Sequence, residues 1–170
     1  MIFLGIGSNL DSKFGDRYNN IRRTLKLIQE EKIVLKKISK FYETPSYPNK
    51  KNPKFINIVI EIEYNLDPEM LLKKIFLIEK KMERKRNTKN EPRTCDIDII
   101  DFKGLIKNQK NVVLPHPKMY KRNFVLFPLK EINPQWIHPK LNKKIDFFIN
   151  NLSQIARNEI TRKKESVILD

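Results

Sequence analysis

The sequence predicts a single α+β domain, and three observations carry that prediction. Apolar positions alternate with period two over residues 55–64 and 95–99, as on half-buried strands. They recur at spacings of three and four over residues 18–28 and 71–82, as on amphipathic helices. The segments interleave along 170 residues, a length that suits one ordinary domain.

Taken in order, Ile2 to Ile6 is a short apolar run ended by Gly7-Ser8-Asn9, a buried strand entering a loop. The Gly5-Ile6-Gly7-Ser8-Asn9 segment lacks the Gly-Lys-Ser/Thr ending of a Walker phosphate loop and reads as a strand-to-loop turn. Asp16 caps a helix with Tyr18, Ile21, Leu25 and Ile28 on one face. Ile33 to Tyr42, rich in β-branched and aromatic residues, is extended. Pro45, Pro48 and Pro53 then forbid both helix and central strand, so residues 44–53 form a long loop. In the strand from Phe55 to Tyr64, four isoleucines (56, 58, 60 and 62) mark the core face, and Phe55, Asn57, Val59, Glu61 and Glu63 take the other.

Asp67-Pro68-Glu69 starts a helix that buries Leu71, Leu72, Ile75, Ile78 and Met82. A polar loop from Glu83 to Asn90 leads into a strand from Thr94 to Phe102. The order strand, helix, strand, strand, helix, strand is the split βαβ pattern of a ferredoxin-like sandwich. Its C-terminal additions are a turn at Lys103-Gly104, a short strand at residues 112–114, a helix over residues 123–131 broken near Pro128, and a last helix over residues 145–152. The expected division is one domain over residues 1–156 and a polar, fraying tail over residues 157–170.

Hydrophobic residues make up 39% and charged residues 32%, which excludes wholesale disorder. The formal charge of +15 invites a nucleic-acid partner. Only nine of the 35 basic residues are arginine, however, and lysine accompanied by Asn and Ile is what an AT-rich coding sequence supplies. The single cysteine, Cys95, permits no intrachain disulfide and suits a reducing, cytoplasmic compartment. No apolar run approaches the roughly 18 residues of a membrane span, and the N-terminus has no signal-peptide pattern.

Asp96-Ile97-Asp98 places two carboxylates on one strand face, with Cys95, Ile97 and Ile99 on the other. Such a pair repels itself unless a cation lies between, and oxygen ligands of this kind suit Mg²⁺ held together with phosphates. Taken alone, it is equally what a solvated strand face carries. Arg84, Arg86 and Arg93 lie just upstream, and arginine's planar fork matches phosphate oxygens as lysine's point charge does not. Acid pair and arginine cluster together read as a nucleoside triphosphate and its metals. Neither histidine has metal-ligand spacing: His116 is aimed by Pro115 and Pro117, and His138 reads as structural. Phe55 and Asn57, on the non-core phase of their strand, offer a stacking ring and an amide to a heterocycle, with Phe124 as the opposite wall.

An ordered set of motifs resembles the 6-hydroxymethyl-7,8-dihydropterin pyrophosphokinases. It comprises Gly5-Ile6-Gly7-Ser8-Asn9-Leu10, Tyr42-Glu43-Thr44-Pro45, Phe55-Ile56-Asn57, Leu71-Leu72 with Glu79, Arg84-Lys85-Arg86, Pro92-Arg93-Thr94-Cys95-Asp96-Ile97-Asp98-Ile99, Pro115-His116-Pro117 and Arg122-Asn123-Phe124. The resemblance covers roughly residues 2–135 and implies pyrophosphate transfer from ATP to a pterin alcohol, with AMP released, in folate biosynthesis. It implies that Asp96 and Asp98 bind two Mg²⁺ ions and that Arg84 and Arg93 are catalytic. Glu79, Arg84, Arg86, Arg93, Ile99, His116 and Arg122 would contact ATP; Thr44, Pro45, Tyr47, Phe55, Asn57 and Phe124 would contact the pterin. Asp98 is the nearest candidate for a base. The implied partners are the two small molecules, with neither nucleic acid nor membrane, and the chain would be a monomer. Glu91, Asn90, Pro48 and Phe76 depart from the family's usual residues, the first three in loops that close over substrate and the last at a nucleotide contact. The rival from another class, an RNA-recognition module of the same strand order, needs stacking aromatics on its central strands, where this chain carries Asp96 and Asp98.

Overall fold

A computed structural model describes residues 1–85 and 91–167. β1 (Ile2–Ser8) is the central strand, antiparallel to β4 (Phe55–Glu63) on one side and β5 (Asp96–Phe102) on the other. β2 (Val34–Ile38) and β3 (Tyr42–Thr44) pair in succession with the far edge of β4. The single extended segment expected over residues 33–42 is therefore two strands. Between them Ser39 turns inward, its hydroxyl accepting the Val59 N–H at 3.0 Å. With α1 (Arg17–Glu30) and α2 (Pro68–Lys81), the element order gives the expected ferredoxin-like α+β sandwich.

Both helices start where the sequence places their caps. Asp16 accepts the Asn19 N–H at 2.9 Å and Asp67 the Met70 N–H at 2.7 Å, each satisfying a donor that the first turn leaves open. Ile21, Leu25 and Ile28 of α1 and Leu71, Ile75 and Ile78 of α2 bury against Leu4, Ile6, Ile97 and the four β4 isoleucines. Leu72, expected in this core, is only half-buried; Glu79 is buried instead, at 2% exposure.

The opposite sheet face is also covered, which the alternation of β4 does not reveal. α3 (Asn123–Ile132) and α4 (Ile145–Asn150) pack a second core on Phe3, Val59 and Ile100. Val59, assigned by phase to a non-core face, is thus fully buried. α3 runs unbroken through Pro128. The carbonyl bond Pro128 cannot make is a local loss of order 3 kcal/mol in a helix interior. Val125, Leu126 and Leu129, all buried against the sheet, offset it.

β5 gains one residue opposite Phe3 and Leu4, where the pairing steps from Ile99 to Asp101. That bulge turns Asp101 toward the second core, where its carboxylate accepts the Trp136 indole N–H at 2.8 Å. Beside it His138, 3% exposed, is ringed by Trp136, Tyr120 and Phe148, in keeping with the structural role its sequence context suggests. Burial pushes this imidazole below the ordinary histidine range, with Asp101 pulling the other way. The unfolded chain therefore takes up the proton first. Stability is full above the unfolded pKa of about 6.5 and is lost as pH falls through it toward the lower folded value. The urea midpoint of the wild type is expected to drop more between about pH 7.5 and about pH 5.5 than that of His138→Gln; equal drops would show that His138 is not the group responsible.

The C-terminal segment departs most from expectation. The last expected helix ends at Asn150, and a further short helix, α5 (Gln154–Asn158), follows. The short strand expected at residues 112–114 is β7 (Val113–Leu114), paired with β6 (Lys107–Asn108); the tail expected to fray instead pairs through β8 (Thr161–Arg162) with β3, and Val167 packs on the first core. Among the described residues, no helix is long and apolar enough to cross a membrane.

Candidate active site

The site lies on the second sheet face, at the end that α3 leaves uncovered. Strand pairing sets Asn57, Gly7 and Asp96 in one cross-strand row and Val59, Gly5 and Asp98 in the next. Directly paired residues share a face, so the glycines of β1 leave a low floor between an amide on one flank and two carboxylates on the other, with Ile100 packed over Gly5. Strands are spaced by about 4.8 Å, so the flanks of a row stand roughly 10 Å apart. A Cβ on Gly7 would meet Asn57 Oδ1 at 2.9 Å and Phe55 Cδ1 at 3.4 Å.

On the acidic flank, every carboxylate has a basic partner. Asp96 lies between Arg84 at 2.7 Å and Arg93 at 2.9 Å. Asp98 meets Arg122 at 3.1 Å and His116 Nε2 at 3.7 Å. Glu79, from the last turn of α2, pairs with Arg84 and accepts the Ile97 N–H at 3.0 Å, tying the helix to the backbone between the two aspartates. Burial alone would lower the Arg84 pKa, but Asp96 and Glu79 outweigh it and hold the guanidinium above its ordinary value. The Lys118 N–H donates to His116 Nδ1 at 3.1 Å, so the neutral ring carries its proton on Nε2, toward Asp98. Burial keeps that ring below the usual histidine range, against the pull of Asp98. Arg86 and Asn90 lie outside the described residues.

Next to the carboxylates opens a cavity of about 220 Å³. Leu72, Phe76, Ile97, Ile99 and Val112 line its apolar part, and Arg84, Asp96, Asp98 and His116 its polar part. That division suits a flat base with a phosphate chain. Ile99 is one wall, and Phe76, a departure in the sequence, is another. Glu79 lines an adjoining opening with Phe76 and Lys80.

On the other flank, Asn57 Nδ2 donates to Thr44 Oγ1 at 3.1 Å across the β4–β3 pair. The Arg93 guanidinium lies 5.2 Å from the Phe55 ring centre, and that of Arg122 lies 5.4 Å from the Phe124 ring centre. Each ring expected to bind the heterocycle therefore carries an arginine that also pairs with a carboxylate. Pro45 is half-buried, whereas Tyr47 is 83% exposed. Gly7→Ala is expected to push Asn57 aside and raise the KM for the flat substrate by about tenfold with little change in thermal stability, since one lost oriented hydrogen bond to a ligand costs about 1.4 kcal/mol. Unchanged KM values for both substrates would remove Gly7 from the groove floor.

One residue of the first motif has a role that the sequence does not assign to it. Asn9, treated there as part of a turn, is 2% exposed and joins two loops. Its Oδ1 accepts the Arg93 backbone N–H at 2.7 Å, and its Nδ2 donates to Ser46 Oγ and the Pro53 carbonyl, both at 3.1 Å. Its own backbone N–H donates to the Arg93 carbonyl at 3.0 Å. Asn9 thus fixes Arg93 relative to both ends of the proline-rich loop. No local pattern signals this, because all its partners are distant in sequence.

The family model for 7,8-dihydro-6-hydroxymethylpterin-pyrophosphokinase (HPPK) matches residues 3–134. The chain is 37% identical over 147 residues to the 2-amino-4-hydroxy-6-hydroxymethyldihydropteridine pyrophosphokinase of Aquifex aeolicus, covering 86% of this chain and 89% of that one. It is 37% identical over 142 residues to a folic acid synthesis protein of Dictyostelium discoideum, covering 84% of this chain but only 21% of that longer protein. In structure it matches the wild-type HPPK-DHPS of Plasmodium falciparum with a TM-score of 0.66 over 95% of this chain and 47% of that one, at 16% identity, a likeness of fold. With the family model matching well over half of its length and the arginine–carboxylate site lying inside the matched span, the chain belongs to the 7,8-dihydro-6-hydroxymethylpterin-pyrophosphokinase family.

Proposed function

We propose that this chain transfers the pyrophosphoryl group of ATP to the hydroxymethyl oxygen of 6-hydroxymethyl-7,8-dihydropterin and releases AMP. The observation that supports the reading is the row Asn57–Gly7–Asp96, an amide and a carboxylate on opposite sides of one glycine, which would take the heterocycle and the phosphates respectively. A pterin held by Asn57, Thr44, Phe55 and Phe124 would direct its hydroxyl along the glycine floor toward the arginines. The hydroxyl oxygen bonds to the β-phosphorus and gives up its proton to water, the bond from that phosphorus to the α-phosphate oxygen breaks, and that oxygen leaves with AMP.

Asp96 and Asp98 fit Mg²⁺ by their donor chemistry. Among the described residues no cluster of three or more His, Cys, Asp or Glu is placed to hold a metal. A two-carboxylate set is what a hard cation needs when phosphate oxygens and waters complete its shell. Two Mg²⁺ ions bound there would offset phosphate charge on the attacking and leaving sides of the transfer. The chain's own groups do the rest. Arg84 and Arg93 would bind the transferring group, while Arg122 and His116 would hold the remaining phosphates. Glu79 orients Arg84 and the β5 backbone rather than presenting a free carboxylate to the nucleotide. Arg93 also retains a buried Nε with no hydrogen-bond partner among the described residues, a spare donor for a phosphate oxygen. Phosphoryl-type transfer asks mainly for positioning and charge neutralisation, which this set supplies.

The test is AMP release from ATP and Mg²⁺ by the purified chain with and without the reduced pterin. AMP should form only when the pterin is present, and none in the complete mixture would sink the assignment. A monomer acting in the cytoplasm on these two small molecules completes the proposal. A nucleic-acid role is disfavoured because the strands that would stack bases present glycines and carboxylates.

A further inference from the structure

Resting on that function, we propose that residues 153–167, which lie beyond the span the family model matches, form a brace that positions both walls of the pterin slot. The brace touches each wall through different contacts. On the Phe124 side, the Ala156 carbonyl of α5 accepts from Asn123 Nδ2 at 2.6 Å, and Asn123 Oδ1 accepts the Phe124 backbone N–H at 2.7 Å. The start of α3, which carries that ring, is therefore held from α5.

On the Thr44 side, β8 pairs with β3 through Thr161 opposite Glu43 and Arg162 opposite Tyr42, and the Lys163 N–H donates to the Phe41 carbonyl at 2.8 Å. Lys163 Nζ reaches Glu43 at 3.0 Å, and Arg162 reaches Glu131 at 2.7 Å; Glu131 also accepts the Tyr42 hydroxyl. Between the two walls, Glu159 pairs with Lys50 of the proline-rich loop. Val167 on the first core and Glu165 on Arg22 anchor the far end.

Such a brace matters because β3 is only three residues long and would otherwise be the open edge of the sheet. A short edge strand held from one side frays easily. Thr44, its last residue, is both the partner of Asn57 and the hinge of the proline-rich loop. Pairing β3 on both sides pre-organises that hinge, so less freedom is lost when the flat ring binds. The carboxylate flank makes no contact with the brace in these interactions, so nucleotide binding is predicted to be indifferent to it.

The test uses full-length variants and two dissociation constants. One is for 6-hydroxymethyl-7,8-dihydropterin, followed by its fluorescence with a nonhydrolysable ATP analogue and Mg²⁺ present; the other is for that analogue itself. Lys163→Pro removes the N–H to Phe41 and the amine beside Glu43. It should weaken pterin binding about tenfold and leave the nucleotide within about twofold. Unchanged pterin affinity, or a parallel loss in both constants, overturns the brace. Should that variant fail to fold, the exposed pair decides. Glu159→Lys should weaken pterin binding about threefold, and Lys50→Glu added to it should restore the affinity; no weakening, or no restoration, overturns the brace. A wild-type chain that binds no pterin overturns the functional reading and the brace together, whereas variants that match a pterin-binding wild type overturn the brace alone.

Discussion

Asp96→Ala should abolish turnover, with kcat down by about 10³-fold or more, equivalent to about 4 kcal/mol of transition-state stabilisation. Two losses coincide at this position. The variant lacks the carboxylate proposed to hold a divalent cation, and it lacks the shared partner of Arg84 and Arg93. Without that partner the two guanidiniums repel each other, and Arg84, which keeps Glu79, is drawn toward α2. Breaking this partly buried cluster should also lower the urea-unfolding free energy by about 1–3 kcal/mol, less than for a fully buried pair. AMP release and a urea titration on one preparation separate the two effects. A variant that retains wild-type AMP release to within tenfold would mean that Asp96 is not a ligand in the reaction.

Arg93→Ala should cost about 10³-fold in kcat, by analogy with other arginines that stabilise a transferring phosphoryl group. It should also weaken pterin binding several-fold, because the same guanidinium lies on the Phe55 ring, a contact of about 0.5–2 kcal/mol. Arg93→Lys should recover little of the rate. It restores a charge but neither the fork that spans Asp96 and a phosphate oxygen nor the flat face over the ring. The peptide itself stays in place in either variant, since Asn9 holds the Arg93 backbone by both its N–H and its carbonyl. Steady-state kinetics with each substrate varied in turn checks this. A rise in KM for ATP with kcat intact would recast Arg93 as a binding residue only.

Much of the site can be read along the chain because strand geometry is local. Side chains alternate across a strand whatever it packs against. Asp96-Ile97-Asp98 therefore shows its two faces directly, and Phe55 and Asn57 show a common phase. The caps at Asp16 and Asp67 are legible for a similar reason, since each bonds an N–H three residues away. The same locality sets the limit. Phase distinguishes one face of β4 from the other but not which is covered, so Val59 is expected at the surface and is found in a second core. Glu79 is expected to meet the nucleotide; its burial and its bond to the Ile97 N–H depend on how α2 lies on β5.

The +15 charge follows the same division. Its count is a property of the composition and favours any anion. Where it can act depends on pairing: among the described residues of the site, Arg84, Arg93 and Arg122 stand against Glu79, Asp96 and Asp98 in a matched cluster.

By itself the sequence determined which residue types face together on each element, the order of those elements, and the motif set that marks the family. Only the tertiary structure decided that Asn57 and Asp96 flank one glycine groove, that Asn9 joins Arg93 to the proline-rich loop, and that the C-terminal segment completes the sheet edge beside the slot. The physical reason is separation along the chain. Backbone periodicity and capping act over a few residues. The Asn57–Gly7–Asp96 row, the Asn9 amide bonds and the Tyr42–Arg162 pairing join residues 37 to 120 positions apart, and these are chosen by how the whole chain buries its apolar surface.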